Sequence, residues 1–213
     1  MLKYLMPSID ELVKIDYKDI KTEETEALIE DALSSVKTCA SPVLIQISGI
    51  PGAGKSTYCK LHKPKEYLYL SFDAIMLLLQ GYQEELLLNG SVKAFEKYEM
   101  IARTVGYELL NRAISKQVNI MFEHSGTNKA HVELIQNIKN NGYKTIVEFI
   151  MCDTSLAIKR AKDRALRINR HVPEQLILDR AKGIENYIQI YKSIASKVNL
   201  LDGGNNFAPL KEI

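Results

Sequence analysis

The sequence has few cysteines, no long apolar run and almost no net charge, and each of these shortages argues against a class of protein. Its three cysteines are odd in number and form no Cys-x-x-Cys pair, so neither a disulfide framework nor a zinc site is indicated. The longest stretch without a charged residue, 38–54, contains two prolines and three glycines and cannot cross a bilayer as one helix. With 28 basic and 26 acidic residues, the net charge of +2 is too small for a dedicated nucleic-acid coat protein.

The composition fits one ordinary globular domain. The chain has 213 residues, of which 46% are hydrophobic and 25% charged, so it can bury a sizeable core. Near the N-terminus, Lys3 is followed by Pro7, Asp10 and Glu11, which leaves no apolar core for a secretion signal. We therefore expect a soluble cytoplasmic protein with reduced thiols and no contact with a membrane.

Residues 1–40 differ from the rest of the chain because they are acidic. They contain nine acidic residues and five lysines, and apolar residues recur at helical spacing between positions 28 and 36. We predict a helical segment that packs on or covers a domain formed by residues 41–213. A surface helix is the favoured interpretation, and a regulatory or partner-binding arm is the alternative.

From Pro42 onward, short apolar runs alternate with longer helical patterns. This alternation is typical of a parallel sheet with crossover helices. The predicted strands cover residues 43–48, 67–71, 118–122, 145–151 and 198–201. Helices are expected to begin at Lys55, after the second strand and after Ser91, to cover 129–141, and to form a pair between 155 and about 195.

The strongest motif is a glycine-rich loop between the first predicted strand and a predicted helix. It fits the pattern G-x-x-x-x-G-K-[ST] with the residues Gly49, Ile50, Pro51, Gly52, Ala53, Gly54, Lys55 and Ser56, followed by Thr57. In such a phosphate loop, backbone N–H groups and the helix N-terminus attract phosphate oxygens, the lysine reaches the terminal phosphates and the hydroxyl can hold Mg²⁺. The sequence has no N-K-x-D motif of a guanine-specific switch protein, so we predict that residues 49–57 bind ATP.

A carboxylate follows the second predicted strand. In P-loop kinases this strand ends beside the phosphates, so Asp73 can take the proton of an attacking hydroxyl or help to order the metal. The alternative is that Asp73 only caps the helix that follows it, which is a common role for aspartate.

The third predicted strand ends in polar residues that face the same crevice if the sheet is parallel. Glu123 can contact a metal-bound water or a substrate hydroxyl, whereas Ser125, Thr127 and Asn128 suit the N-cap of the next helix. His124 is expected to be a satisfied polar residue rather than an acid or a base.

A basic segment follows the fourth predicted strand. Arg160, Arg164 and Arg167 are spaced to share one helix face, and Val172-Pro173 ends that helix. The helix after it carries an apolar stripe that packs it against the domain. We predict an arginine lid at about 155–175 that closes over the nucleotide and excludes water. A solvated basic face is the alternative.

Together these motifs resemble the zeta toxin family of P-loop kinases, which phosphorylate UDP-N-acetylglucosamine, and its polynucleotide-kinase-like relatives. The resemblance covers residues 43–191 and is carried by the phosphate loop, by Asp73, by the stretch 122–128 and above all by the arginine helix that runs into Arg170-His171-Val172-Pro173. It fits an α/β P-loop NTPase fold of the nucleoside-monophosphate-kinase type, with about five parallel strands flanked by helices and an arginine lid.

The resemblance implies roles for the residues that match the catalytic motifs. Lys55 and Ser56 would hold the ATP phosphates and Mg²⁺, and Asp73 would be the base for the acceptor hydroxyl. Arg164 and Arg170 would bracket the phosphoryl group during its transfer.

The resemblance also implies binding residues and a partner. Glu123 and Thr127 would lie in the acceptor site. Arg167 is a competing choice for one of the two lid arginines and would then lie beside ATP. Residues 74–79 are wholly apolar, whereas the family commonly has further charged residues just after the base, so the identity of the acceptor stays open. Family members are similar in being paired with a small antitoxin that blocks the nucleotide site.

We therefore predict an ATP-dependent phosphotransferase that moves the γ-phosphoryl group to a hydroxyl of a small nucleotide-type acceptor, a UDP-N-acetylamino sugar. One alternative is a kinase of RNA or DNA 5′-hydroxyl ends, which would need a groove for a nucleic-acid backbone and stacking aromatic residues. The other is a non-catalytic nucleotide-sensing module, which would bind ATP without transferring phosphate.

Overall fold

The computed structural model describes residues 3–5, 12–168 and 172–210. In this part of the chain one sheet is formed by β1 Val43–Ser48, β2 Leu68–Ser71, β3 Ile120–Glu123, β4 Lys144–Met151, β5 Lys197–Asp202 and β6 Ala208–Pro209. The strands lie in the order β2-β3-β1-β4-β5-β6. The first five are parallel, and β6 runs antiparallel to β5.

Helices connect the strands and flank the sheet. They are α1 Tyr17–Ile20, α2 Glu23–Ser34, α3 Lys55–His62, α4 Phe72–Leu78, α5 Gln80–Lys116, α6 Lys129–Asn140, α7 Thr154–Ile168 and α8 Glu174–Ile194. The long helix α5 is kinked at Gly90, whose left-handed φ of 81° interrupts the helical backbone. None of the helices in the described ranges is both long enough and apolar enough to span a membrane.

The sheet is buried on both faces, as parallel sheets covered by crossover helices are. Fully buried side chains come from its central strands, including Leu44 and Ile47 of β1 and Phe149 of β4. The predicted fold class is confirmed, and each predicted strand begins and ends within two residues of the observed one. Strand β6 was missing from the prediction because it has two residues and includes Pro209, which leaves no alternating pattern in the sequence.

The parallel register brings three loops to one edge of the sheet. Ile47 near the end of β1 and Ser71 at the end of β2 both pair with Glu123 at the end of β3. The loops that follow these three strands therefore leave the sheet side by side. In open α/β sheets, ligands bind outside the carboxyl ends of the strands where the chain reverses its order, here between β1 and β4.

The acidic N-terminal segment packs against α5. The Glu26 carboxylate accepts hydrogen bonds from the Arg112 guanidinium at 2.8 and 3.1 Å. The Glu24 carboxylate accepts one from the backbone N–H of Gln80 at 2.6 Å, at the first residue of α5. These contacts agree with a surface helix, while the division of the chain at residue 40 stays a prediction.

We expect Glu26→Gln to lower the stability of the protein at pH 7 by about 1 kcal/mol, because the ion pair is only partly shielded from water. Hydrogen bonds from Arg112 and then from Tyr17 lower the pKa of Glu26 from 4.5 to about 2. The stabilisation is therefore complete above pH 4.5 and is lost as the pH falls towards 2. Thermal unfolding from pH 7 to pH 2 measures it.

The control for this experiment is Glu30→Gln, which changes an exposed carboxylate on the same helix. The difference between wild type and Glu26→Gln should shrink at acid pH, while the control should differ little from wild type throughout. A Glu26→Gln difference that stays constant between pH 7 and pH 2 would contradict the ion-pair explanation.

Candidate active site

The phosphate loop lies between β1 and α3 and packs closely against the first turn of α7. Gly52 has a φ of 86°, and a Cβ atom on this residue would collide with the carbonyl oxygen of Ala157. Within the loop Ala53 is buried and Pro51 is half-buried, whereas Thr57 in the first turn of α3 is exposed. The loop thus opens at the N-terminus of α3, where a helix dipole favours an anion.

Lys55 is held inside the phosphate loop. Its ammonium group donates hydrogen bonds to the carbonyl oxygens of Gly49 at 3.0 Å and of Ile50 at 3.1 Å. The lysine side chain therefore curls back over the loop that precedes it, which is where the phosphates of a nucleotide would lie. An ammonium group in this place can offset the charge of the terminal phosphates.

Ser56 and Glu123 are in direct contact. The Ser56 hydroxyl donates a hydrogen bond to Glu123 Oε1 at 2.7 Å, and the Tyr69 hydroxyl donates one to Glu123 Oε2 at 2.5 Å. The glutamate is buried, with 8% of its surface exposed. Mg²⁺ binds to oxygen ligands and keeps several of its waters, so a serine hydroxyl backed by a carboxylate fits this ion.

Asp73 lies in the first turn of α4, just beyond β2. The N-cap of this helix is Ser71, so the alternative in which Asp73 is the N-cap is wrong. The register pairs Ser71 with Glu123, which places Asp73 two residues past the edge where Glu123 meets Ser56. Its side chain is half-buried.

The loop after β3 is fixed by its own contacts. His124 is buried, accepts a hydrogen bond from the Gly126 backbone N–H and contacts the Tyr107 hydroxyl. Burial lowers its pKa well below the ordinary value, and the nearby positive charges act in the same direction. His124 is therefore a neutral, satisfied polar residue. The N-cap of α6 is Asn128, whose side chain accepts from the backbone of Ala130 at 2.8 Å.

Thr127 belongs to the same loop but is not a helix cap. Its carbonyl and hydroxyl oxygens both accept hydrogen bonds from Arg180 at 3.0 Å. Arg180 lies on α8, so it ties the second helix of the predicted lid to the loop that was expected to bind the acceptor.

The predicted lid arginines are only partly within the described residues. Arg160 donates to the carbonyl oxygen of Gly203 at 2.9 Å, so it is bound to the loop after β5. Arg164 follows one turn later on α7 and is half-buried. Arg167 belongs to α7, but its side chain is not among the described parts of the chain, and Arg170 lies outside the described residues.

The structure adds neighbours of the site that the sequence did not reveal. The Phe207 ring lies against Gly54 of the phosphate loop and meets the Tyr58 ring at a centroid distance of 5.1 Å. Phe207 has a left-handed φ of 57°, which is uncommon for an aromatic residue. Tyr69 and Arg180 were also missed, because an alternating strand pattern and a basic helix face do not indicate which hydroxyl or guanidinium meets a loop far away in sequence.

We expect Gly52→Ala to weaken ATP binding by about ten-fold or more. A strained backbone costs about 1–3 kcal/mol, and 1.4 kcal/mol is a factor of ten in affinity. The added methyl group would push the phosphate loop away from Ala157. Titration of the variant with ATP measures the loss.

The matched control is Gly183→Ala on α8, where an added Cβ would lie 3.6 Å from the Tyr187 ring, an ordinary contact distance. That variant should bind ATP like wild type and gain about 0.5–1 kcal/mol of stability from helix propensity. Unchanged ATP affinity in Gly52→Ala would show that the close packing of the phosphate loop is not needed for binding.

The sheet order and the glycine-rich loop between β1 and α3 define a P-loop kinase fold. The protein-family model for zeta toxin matches residues 26–204. The chain therefore belongs to the zeta toxin family, and membership together with the phosphate loop supports an ATP-dependent kinase. A comparison with curated protein sequences finds no match.

Solved structures share this fold. A chain from the PezAT chromosomal toxin–antitoxin system of Streptococcus pneumoniae has a TM-score of 0.72 and 17% identity, over 90% of this chain and 81% of that one. A chain of AvrRxo1-ORF1:-ORF2 with ATP has a TM-score of 0.66 and 13% identity, over 88% and 65%. A chain of the Pnkp1/Rnl/Hen1 RNA repair complex has a TM-score of 0.55 and 13% identity, over 83% and 50%. This chain thus spans less than two thirds of the latter two.

Proposed function

We propose that the chain transfers the γ-phosphoryl group of ATP to a hydroxyl of a UDP-N-acetylamino sugar. The observation that carries the proposal is the junction of Ser56 and Glu123 at the edge of the sheet, 2.7 Å apart, with Asp73 two residues beyond the strand position that pairs with Glu123. A phosphate loop, a hydroxyl suited to a metal and a nearby carboxylate base are the parts that phosphoryl transfer to a hydroxyl needs.

The ATP phosphates would be bound by the loop and by Lys55. Lys55 would exchange its two carbonyl contacts for phosphate oxygens. A bound Mg²⁺ would supply positive charge that offsets the negative charge developing on the transferred group. Ser56 would hold the ion, and Glu123 would orient the Ser56 hydroxyl.

Asp73 would accept the proton of the acceptor hydroxyl. It lies in the first turn of α4, two residues past the strand position that pairs with Glu123. Arg164, with Arg167 and Arg170 from the same basic segment, would bind the phosphoryl group as it leaves ATP and would exclude water, which otherwise competes as the acceptor.

The acceptor would lie against the loop after β3, beside Thr127, which Arg180 holds in place. The choice of a UDP-N-acetylamino sugar follows from membership of the zeta toxin family. A small antitoxin that covers the nucleotide site is part of the same proposal, since the PezAT relative belongs to a toxin–antitoxin system. We also propose a cytoplasmic location for the protein, because ATP is available there.

We expect Asp73→Asn to lower the rate of phosphoryl transfer by at least about 100-fold, because general-base catalysis contributes a factor of about 10²–10⁴. ATP affinity should be nearly unchanged, since the phosphate loop is untouched. Acceptor-dependent ATP consumption and a nucleotide titration measure the two quantities. Asp31→Asn, which changes an exposed carboxylate on α2, is the control. Full turnover by Asp73→Asn would remove Asp73 from the mechanism.

The acceptor is tested by comparing UDP-N-acetylglucosamine, a 5′-hydroxyl oligonucleotide and no acceptor in the same assay with Mg²⁺. We expect ATP consumption only with the nucleotide sugar. Consumption driven by the oligonucleotide alone would replace this proposal with a polynucleotide kinase. ATP binding without turnover with either acceptor would favour a nucleotide-sensing module.

A further inference from the structure

Tyr69 completes a chain of three side chains that ends at the phosphate loop. Its hydroxyl donates to one oxygen of the Glu123 carboxylate at 2.5 Å, and Ser56 donates to the other at 2.7 Å. The three residues come from β2, β3 and α3, so the chain joins two neighbouring strands to the helix that follows the phosphate loop. Each carboxylate oxygen of Glu123 is thus occupied by a different hydroxyl.

The direction of these hydrogen bonds is settled by chemistry. Burial, followed by the charge of Glu123 and the hydrogen bond to it, raises the pKa of Tyr69, so the phenol keeps its proton and donates. Glu123 then accepts one hydrogen bond at each of its two side-chain oxygens. A serine hydroxyl that donates its proton to a carboxylate directs its lone pairs elsewhere, which is the arrangement of a metal-binding hydroxyl.

We propose that Tyr69 is a positioning residue for the metal: it holds the Glu123 carboxylate in the rotation that orients the Ser56 hydroxyl towards Mg²⁺. This inference rests on the proposed function, since it assigns Ser56 and Glu123 to the metal side of the kinase site. Tyr69 itself contacts Glu123, and it acts on the metal through that residue.

The physical need for such an anchor comes from the glutamate side chain. The terminal torsion of a glutamate is broad, so a carboxylate held by one hydrogen bond can rotate away from it. A second hydroxyl on the other oxygen restricts that rotation. Tyr69 is well suited to this because it rises from β2, whose register with β3 is fixed by the backbone ladder. A structural role alone, the satisfaction of a buried carboxylate, predicts lower stability and no specific change in the response to metal.

The test is Tyr69→Phe, which keeps the ring and removes the hydroxyl. ATP affinity is measured by titration in EDTA and over a range of Mg²⁺ concentrations. We expect the affinity in EDTA to stay at the wild-type value, because the phosphate loop is intact. The Mg²⁺ concentration that gives half of the maximal increase in ATP affinity should rise by about 10-fold. A change of this size is typical when a partner of a metal ligand is removed.

The matched control is Tyr67→Phe. Tyr67 lies two residues before Tyr69, directly before the first residue of β2 and at the end of the strand away from the site, and it is also half-buried. Loss of its hydroxyl should leave the Mg²⁺ dependence unchanged. An equal shift in both variants would show that the effect is general to this strand and would contradict the proposal.

A double-mutant cycle separates action through Glu123 from independent action. In a Glu123→Gln background, Tyr69→Phe should no longer alter the Mg²⁺ dependence, because the residue through which it acts is already changed. The same shift in both backgrounds would overturn the proposal. So would a loss of ATP affinity in EDTA, which would mean that Tyr69 supports the loop rather than the metal.

The wild-type measurement distinguishes this inference from the proposed function. If Mg²⁺ strengthens ATP binding in wild type but Tyr69→Phe responds to it identically, the inference about Tyr69 fails while the kinase proposal stands. If Mg²⁺ has no effect on wild-type ATP binding, the assignment of Ser56 to the metal fails and both proposals fall with it.

Discussion

The site depends on the parallel register of three strands. Because Ile47 of β1 and Ser71 of β2 both pair with Glu123 at the end of β3, the phosphate loop, the helix of Asp73 and the loop after β3 leave the sheet together. A shift of one residue in β3 would turn Glu123 to the other face of the sheet and break its contact with Ser56. Backbone hydrogen bonds inside a buried sheet thus set the geometry on which the side-chain chemistry relies.

Two histidines are in contact next to the end of β3, His124 in the loop and His131 on α6. Their rings meet edge to face with 3.7 Å between the centroids, and burial is the main reason why the pKa of each lies well below its ordinary value. Both histidines are therefore neutral. Glu123 already accepts from two hydroxyl groups, which fits a role in orientation. This leaves the half-buried Asp73 as the carboxylate that we propose as the base.

Much of the fold could be predicted from the sequence, because hydrophobic periodicity and the glycine-rich loop are local signals. The same signals placed Lys55 and Ser56 at the start of the helix after β1, Asp73 just beyond β2 and Glu123 at the end of β3. They could not show that Glu123 meets Ser56, since that contact depends on strand order and register across 67 positions. The contacts of Tyr69 and Arg180 were out of reach for the same reason.

The acidic N-terminal segment acquires a structural explanation that composition alone does not provide. Two of its carboxylates bind α5: Glu26 pairs with Arg112 near the C-terminal end of the helix, and Glu24 accepts from the backbone N–H of Gln80 at its start. An unpaired N–H at a helix start is satisfied best by an acceptor with negative charge. Helix α5 begins two residues after α4, which carries Asp73. The segment therefore holds the helix that follows the carboxylate proposed as the base, so its acidic residues support the candidate site from outside it.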